Sequence, residues 1–228
     1  FKPRYNILLK DSKTYPWICV TNEEFPRVML TRKLVKDGSR YFGPYSSVVH
    51  ARNLVEFIHT VYPLRQCKHK ITSDVILRRK IRPCTYFHVK KCLGCCVGGI
   101  SQQEYYQNIV EIVSLLKGGG REVIQHYKKL MTEAAAALEF EQAEVYKKKM
   151  QSLENHYSKS VIANAAVGDV DVFSLITDGP EAFGNFMRIR GGAVIQSLNL
   201  GFQLMIAEEQ ESVLASFIAE IQSKLGEL

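Results

Sequence analysis

Arg65-Gln66-Cys67-Lys68-His69-Lys70, Arg78-Arg79-Lys80-Ile81-Arg82-Pro83-Cys84 and Lys90-Lys91-Cys92-Leu93-Gly94-Cys95-Cys96 fall within one stretch, residues 65–99, whose reading decides how the chain is organised. The stretch has neither the 3.6-residue period of an amphipathic helix nor the alternation of a half-buried strand. It holds five of the six cysteines, the other being Cys19, and closes on Gly98-Gly99. No signal-peptide pattern opens the chain, so a disulfide framework is not expected and metal or cluster binding is the better reading. Cys67-x16-Cys84-x7-Cys92-x3-Cys96 offers four thiolates, and the Gly94 turn lets one short segment deliver two of them. By count, four thiolates suit zinc or an iron–sulfur cluster equally. The irregular first gap is unlike a two-knuckle zinc ribbon. Arg65, Lys68, Arg82, Lys90 and Lys91 stand close enough in sequence to offset the charge of such a site.

Upstream of this stretch the chain reads as β-rich. Tyr5–Leu9, Trp17–Val20 and Arg27–Thr31 are short strand-like runs, and Asp37-Gly38 predicts a hairpin turn. Gly43-Pro44 stops the next strand. Ser46 or Ser47 caps a helix carrying Val48, Ala51, Val55 and Ile58 on one stripe, and Tyr62-Pro63 ends it. Downstream, Ser101-Gln102-Gln103-Glu104 is a capping box for a helix running to Lys117. Gly118-Gly119-Gly120 interrupts the chain there. Residues 121–156 predict two antiparallel helices that bend at Leu138-Glu139-Phe140-Glu141. Residues 157–169 read as a linker. Val170–Thr177, Ala182–Arg190 and Ala193–Phe202 read as strands, followed by a helix over 208–225 with Val213, Leu214, Phe217, Ile218 and Ile221 inward. The expected fold class is α+β and multi-module. A β-rich part (1–64) is followed by a cysteine-rich region (65–100), helices with a hairpin (101–156), and a β-β-β-α unit (157–228) whose order is compatible with the start of a ribonuclease H-like fold.

Of the 228 residues, 46% are hydrophobic and 23% charged, an ordinary globular balance that argues against a mainly disordered or collagen-like protein. No apolar run approaches the roughly 20 residues that span a bilayer, so no membrane association is expected. Residues 1–100 carry 19 Lys+Arg against 6 Asp+Glu, a net of +13; the remainder carries 11 against 17, a net of −6, and together these give the overall +7. A basic first half fits a polyanionic partner, most often nucleic acid. Lys68, Lys70, Arg78, Arg79, Lys80, Arg82, Lys90 and Lys91 are the candidate phosphate contacts, with Tyr86 and Phe87 interleaved as possible stacking partners. Lys147-Lys148-Lys149 reads instead as the solvent face of a helix. The first residue is Phe1, which suggests a piece of a longer protein.

Several motifs together resemble one family. Pro3-Arg4-Tyr5-Asn6, Leu8-Leu9-Lys10-Asp11, Tyr15-Pro16, Tyr41-Phe42-Gly43-Pro44-Tyr45, Arg65-Gln66-Cys67, Arg82-Pro83-Cys84 and Cys92-Leu93-Gly94-Cys95-Cys96 resemble UvrC, the incision-subunit family of the bacterial UvrABC excinuclease. The resemblance covers residues 3–156 in order. It continues more loosely through Asp171-Val172-Phe173-Ser174 and Gly191–Ser197.

What the resemblance implies is specific. It implies DNA endonuclease activity in nucleotide excision repair, in the bacterial cytoplasm, on damaged double-stranded DNA and together with UvrB. It maps a [4Fe–4S] cluster onto Cys67, Cys84, Cys92 and Cys96, with zinc as the alternative. Cys95 stands where the family commonly has proline. Of the GIY-YIG nuclease site that makes the 3′ incision, only an asparagine maps here, onto Asn6. The 5′ incision belongs to a ribonuclease H-like domain beyond Leu228. The Mg²⁺ or Mn²⁺ of both nuclease domains would therefore lie outside this chain, which alone is expected to be inactive. Leu138, Phe140, Glu141 and Ala143 resemble the UVR motif that meets UvrB. The physics agrees, because a two-helix hairpin has too little core to cover both apolar faces and a second hairpin can complete it. The rival reading is a non-enzymatic metal- or iron–sulfur-bearing adaptor that joins nucleic acid to a helical partner.

Overall fold

The computed structural model describes residues 15–45, 47–160, 168–190, 193–204 and 210–226. It is a mixed α and β structure with two small antiparallel sheets and several helices. Asn6 and the run Tyr5–Leu9 lie outside the described residues.

The first sheet comprises β1 (Trp17–Val20), β2 (Val28–Thr31) and β3 (Arg40–Phe42) in the order β2-β1-β3. All four residues of β1 are buried, as suits a central strand with a partner on each side. The hairpin expected around Asp37-Gly38 is therefore corrected. β2 and β3 do not pair with each other; each pairs with β1. The turn forms nonetheless, with Gly38 at φ +81°. Asn22 holds it, donating from Nδ2 to Asp37 O and from its backbone N–H to Ser39 Oγ, both at 3.1 Å.

Helix α1 (Val48–Val61) starts at Ser47, whose hydroxyl accepts from His50 N–H, and ends at Tyr62. Three short helical pieces follow in the cysteine-rich stretch: α2 (Ser73–Leu77), α3 (Thr85–His88) and a 3₁₀ turn at Cys95–Val97. They are too short to show a period, which is why that stretch reads as irregular from sequence. Helix α4 (Gln102–Leu116) opens with the expected Ser101/Glu104 capping box. Helices α5 (Gly120–Ala136) and α6 (Phe140–Ser160) form the antiparallel hairpin. The linker expected from 157 is corrected at its start, because α6 continues to Ser160.

One apolar core runs from Ile18 to Leu153 and joins the first sheet, α1, the 3₁₀ turn, α4 and the base of the hairpin. The hairpin is thus rooted in the core, through Val123, Tyr127 and Leu153, while its tip projects. Lys149 corrects the expectation of a solvent-facing lysine run. Its ammonium lies 5.1 Å from the ring centroids of both Tyr62 and Tyr127 and donates to Tyr127 Oη at 3.2 Å, while Lys147 and Lys148 stay exposed. Tyr127 Oη in turn donates to the Glu111 carboxylate. This network ties α1, α4, α5 and α6 together at the hairpin's root.

The second sheet, β4 (Val170–Asp178), β5 (Glu181–Arg190) and β6 (Ala193–Gln203), is an antiparallel meander covered on one face by α7 (Gln210–Gly226). Its core comprises Ala182, Phe186, Leu198, Leu200, Val213, Phe217 and Ile221. Helix α7 comes close because Gly184 has no side chain. A Cβ there would lie 2.7–2.9 Å from three atoms of the Phe217 ring.

Candidate functional site

The cysteine-rich stretch is organised by Arg65, whose side chain is fully buried. Its Nε donates to Phe25 O (2.6 Å), and its Nη1 donates to His69 O (2.7 Å) and Cys67 O (3.2 Å). Nη2 meets the Glu23 carboxylate. Tyr105 Oη accepts from Arg65 N–H and donates to Pro26 O at 2.8 Å, which ties α4 to the same point. One guanidinium therefore fastens the β1–β2 loop to the start of the cysteine stretch. Partial burial pushes the Glu23 carboxyl up, but hydrogen bonds from Arg27 and Thr21 and the charge of Arg65 outweigh it and hold the group below its ordinary value. From its neighbours in the sequence, Arg65 is simply a charge beside the cysteines. Its only hint of burial is its place directly after the apolar run Val61-Tyr62-Pro63-Leu64.

The cysteines gather around this anchor. Cys67 Sγ lies 3.9 Å from Arg65 Nη1. Cys92 Sγ accepts from Gly94 N–H at 3.4 Å. Gly94 takes φ +71°, and a Cβ there would strike the Phe87 ring at 2.4 Å, so glycine is required on both counts. Cys95 and Cys96 are buried, Cys67 and Cys92 half-buried, and Cys84 is exposed at the rim. The thiols feel one another. Burial, then the proximity of Cys67, Cys92 and Cys84, pushes the Cys96 thiol up. Cys92 is pulled down to about 6 by a hydrogen bond from Cys95, with help from Gly94 N–H and Arg65. Cys95, donating that bond and buried, is pushed up.

The donor chemistry thus fits a sulfur-ligated group. Beside Cys92 the Gly94 N–H and the Arg65 charge favour a thiolate, whereas burial disfavours one at Cys96. Among the described residues, however, no group of three or more Cys, His, Asp or Glu stands in an arrangement that holds a metal ion.

Around the cysteines, Lys68, Lys70, Arg78, Arg79, Lys80, Arg82, Lys90 and Lys91 are all exposed. Asp74 pairs with Arg78 at 2.6 Å and lies 4.0 Å from Lys80. Tyr86 is about half exposed, whereas Phe87 is half-buried and packs on Gly94, so of the two expected stacking rings only Tyr86 faces outward.

At the bend between α5 and α6, Leu138 takes φ +63° and is 73% exposed, and Phe140, at the first position of α6, is 66% exposed. Glu141 is exposed and Ala143 half-buried. Phe140 is thus largely open to solvent rather than buried on its own preceding helix.

A basic surface around the cysteine loop thus shares its core with the base of a hairpin whose tip carries exposed apolar residues. Residues 15–115 match the family described as UvrC/Cho excinuclease, middle domain. The chain is 39% identical over 223 residues to UvrABC system protein C of Flavobacterium johnsoniae, covering 98% of this chain and 37% of the relative. It is 40% identical over 225 residues to the protein of the same name in Bacteroides fragilis (98% and 37%) and 38% identical over 225 to that of Christiangramia forsetii (99% and 38%). The chain is similar to these relatives along nearly its whole length and spans less than two-fifths of theirs. No solved structure matches it. No helix among the described residues is long and apolar enough to cross a membrane.

Proposed function

We propose that this chain is the portion of a DNA excinuclease subunit that contacts DNA and a partner protein, acting in nucleotide excision repair in the bacterial cytoplasm. The observation that carries this reading is the similarity to UvrABC system protein C along nearly the whole chain. Incision of damaged double-stranded DNA, on either side of the lesion, is assigned to the intact protein. Asp171 on the second sheet is engaged in an ion-pair triad, accepting from both Arg188 (3.0 Å) and Arg190 (2.8 Å), which gives no support for a catalytic role there.

Three parts of the chain take separate tasks in this proposal. The eight exposed basic residues around the cysteine loop bind phosphate. Cys67, Cys84, Cys92 and Cys96 hold a [4Fe–4S] cluster, or zinc in its place, which would keep the loop rigid. The grouping of thiols beside Arg65 and the Gly94 amide supports this. Leu138 and Phe140, with Glu141 and Ala143 beside them, dock on UvrB. The exposure of an aromatic ring at a rooted bend supports that assignment, because burying it in a partner could contribute about 2–4 kcal/mol.

The test is a titration of UvrB with the chain and with its Phe140→Ala variant. Binding at least tenfold weaker, with an unchanged melting temperature, is expected. Equal affinity in the folded variant would refute the docking assignment. Iron, sulfide and zinc analysis of protein prepared without oxygen tests the cysteine assignment, and a sample with none of them refutes it.

A further inference from the structure

The end of α2 carries a side chain that phosphate binding does not explain. Leu77, the last residue of the helix, is 82% exposed, more than any other large apolar side chain among the described residues. It stands directly before Arg78-Arg79-Lys80. Between residues 73 and 91 a single acid, Asp74, is set against six Lys and Arg. A leucine in such a place gains nothing from phosphate and is disfavoured in water.

Helices α2 and α3 close in the same way. Arg79 N–H donates to Ile76 O at 3.0 Å and Lys80 N–H to Val75 O at 3.2 Å. Likewise Lys90 N–H donates to Phe87 O at 3.0 Å and Lys91 N–H to Tyr86 O at 2.8 Å. Each pair is a Schellman closure, whose left-handed position is ordinarily glycine. Here that position holds Arg79 at φ +47° and Lys90 at φ +57°. A Cβ is strained there, and strain of this kind gathers at ligand-binding segments. Among the described residues no carboxylate pairs with either cation, because Asp74 binds Arg78 at 2.6 Å and lies 4.0 Å from Lys80.

The two helix ends flank one turn. A Cβ on Gly94 would strike the Phe87 ring of α3, and one on Gly98 would lie 3.7 Å from Ile76 Cγ2 of α2. Tyr86, Val89 and Val97, on α3, at its end and on the turn, are exposed as well. Apolar side chains are thus set among unpaired cations. A fully stacked duplex offers phosphate to the cations and nothing to Leu77. A duplex with an opened base step offers both, since apolar side chains insert between unstacked bases, and unstacking is least costly where the base is damaged or mismatched.

We infer that Leu77 is a wedge that enters an unstacked base step of distorted duplex DNA, with Arg79 and Lys90 on phosphates of the same duplex. The inference rests on the proposed DNA role of the basic loop and adds to it a preference for distorted over intact duplex. The similarity to an excinuclease family favours DNA over an acidic protein segment as the partner of this surface.

The experiment uses the 228-residue chain prepared without oxygen and two fluorescein-labelled duplexes of one sequence. One is fully paired; the other carries a single tetrahydrofuran abasic analogue next to 2-aminopurine. Label anisotropy reads affinity, and 2-aminopurine emission reads unstacking. The parent should prefer the abasic duplex and raise the emission. Leu77→Ala should lose the emission change and about fivefold or more in affinity for the abasic duplex, with the paired duplex held within about twofold. Arg79→Gly should weaken both duplexes and lower the slope of log affinity against log salt by about one. Its melting temperature should stay level or rise, because glycine relieves the left-handed position. Equal parent affinity for the two duplexes, or a Leu77→Ala variant that changes both alike or neither, overturns the wedge and leaves DNA binding by the loop standing. Weakened UvrB binding by Leu77→Ala with DNA binding unchanged gives the surface to a protein partner and also overturns it. No binding of either duplex at low salt overturns the wedge and the DNA role of the loop together.

Discussion

Replacing Arg65 with methionine keeps the length of a buried stem and removes its guanidinium. Phe25 O, in a residue 3% exposed, loses its donor and has no access to water. An unpaired buried acceptor of that kind costs about 1–3 kcal/mol. Cys67 O and His69 O lie nearer the surface, since Cys67 is half-buried and His69 exposed, and water can replace part of what they lose. Glu23 loses its ion pair but keeps Arg27 and Thr21. Breaking a fully buried pair would cost about 3–5 kcal/mol; with Glu23 partly solvated, the expected loss is about 2–4 kcal/mol. For a chain of this size that lowers the melting temperature by roughly 4–16 °C. Circular dichroism melts measure the loss, and limited trypsin digestion should show faster cleavage at Lys68 and Lys70 once the tether is gone. Arg65→Lys keeps the charge but can satisfy only some of the acceptors, and should fall between parent and methionine variant. An Arg65→Met melt within about 2 °C of the parent, with unchanged cleavage, would refute the claim that this residue anchors the cysteine stretch.

Three further outcomes are expected. The Glu23 carboxyl is held below its ordinary value in the fold, so the stability it contributes is full above the unfolded value of about 4.3 and is lost as pH falls through the folded value. The difference in urea midpoint between the parent and Glu23→Gln should therefore be largest near neutrality and shrink below about pH 4. Gly184→Ala forces a methyl into the buried Phe217 ring, which is edge-on to Phe173, and should destabilise the second sheet and α7 by about 1–3 kcal/mol in chemical denaturation. Lys90→Ala and Lys91→Ala should each weaken duplex DNA binding and reduce the slope of log affinity against log salt by about one. Unchanged slopes would remove these lysines from the phosphate contacts.

Where local chemistry is sufficient, sequence and structure agree. The Ser101/Glu104 capping box opens a helix at Gln102, Ser47 caps α1, and the three strands after residue 170 form with bounds within a residue or so of those expected. Each of these depends on residues adjacent in the chain. The pairing of β1 with both β2 and β3 does not, because a four-residue strand carries no mark of which neighbours it will have. The extension of α6 to Ser160 and the inward turn of Lys149 were equally hidden. Lys147, Lys148 and Lys149 are chemically identical, and only the position of the Tyr62 and Tyr127 rings selects one of them. The cysteine stretch lies between these cases. Its donor types were legible, but their gathering depends on Arg65, whose partners are up to 42 residues away in the chain.

The helix starts, the position of the bend before Phe140 and the types of side chain available for binding are written in short motifs whose physics is local, so the sequence alone determined them. Only the tertiary structure decided that Arg65 is an anchor and that Lys149, alone of three neighbouring lysines, turns inward. Burial and convergence of groups far apart in the chain are properties of packing, and no spacing along the chain encodes them.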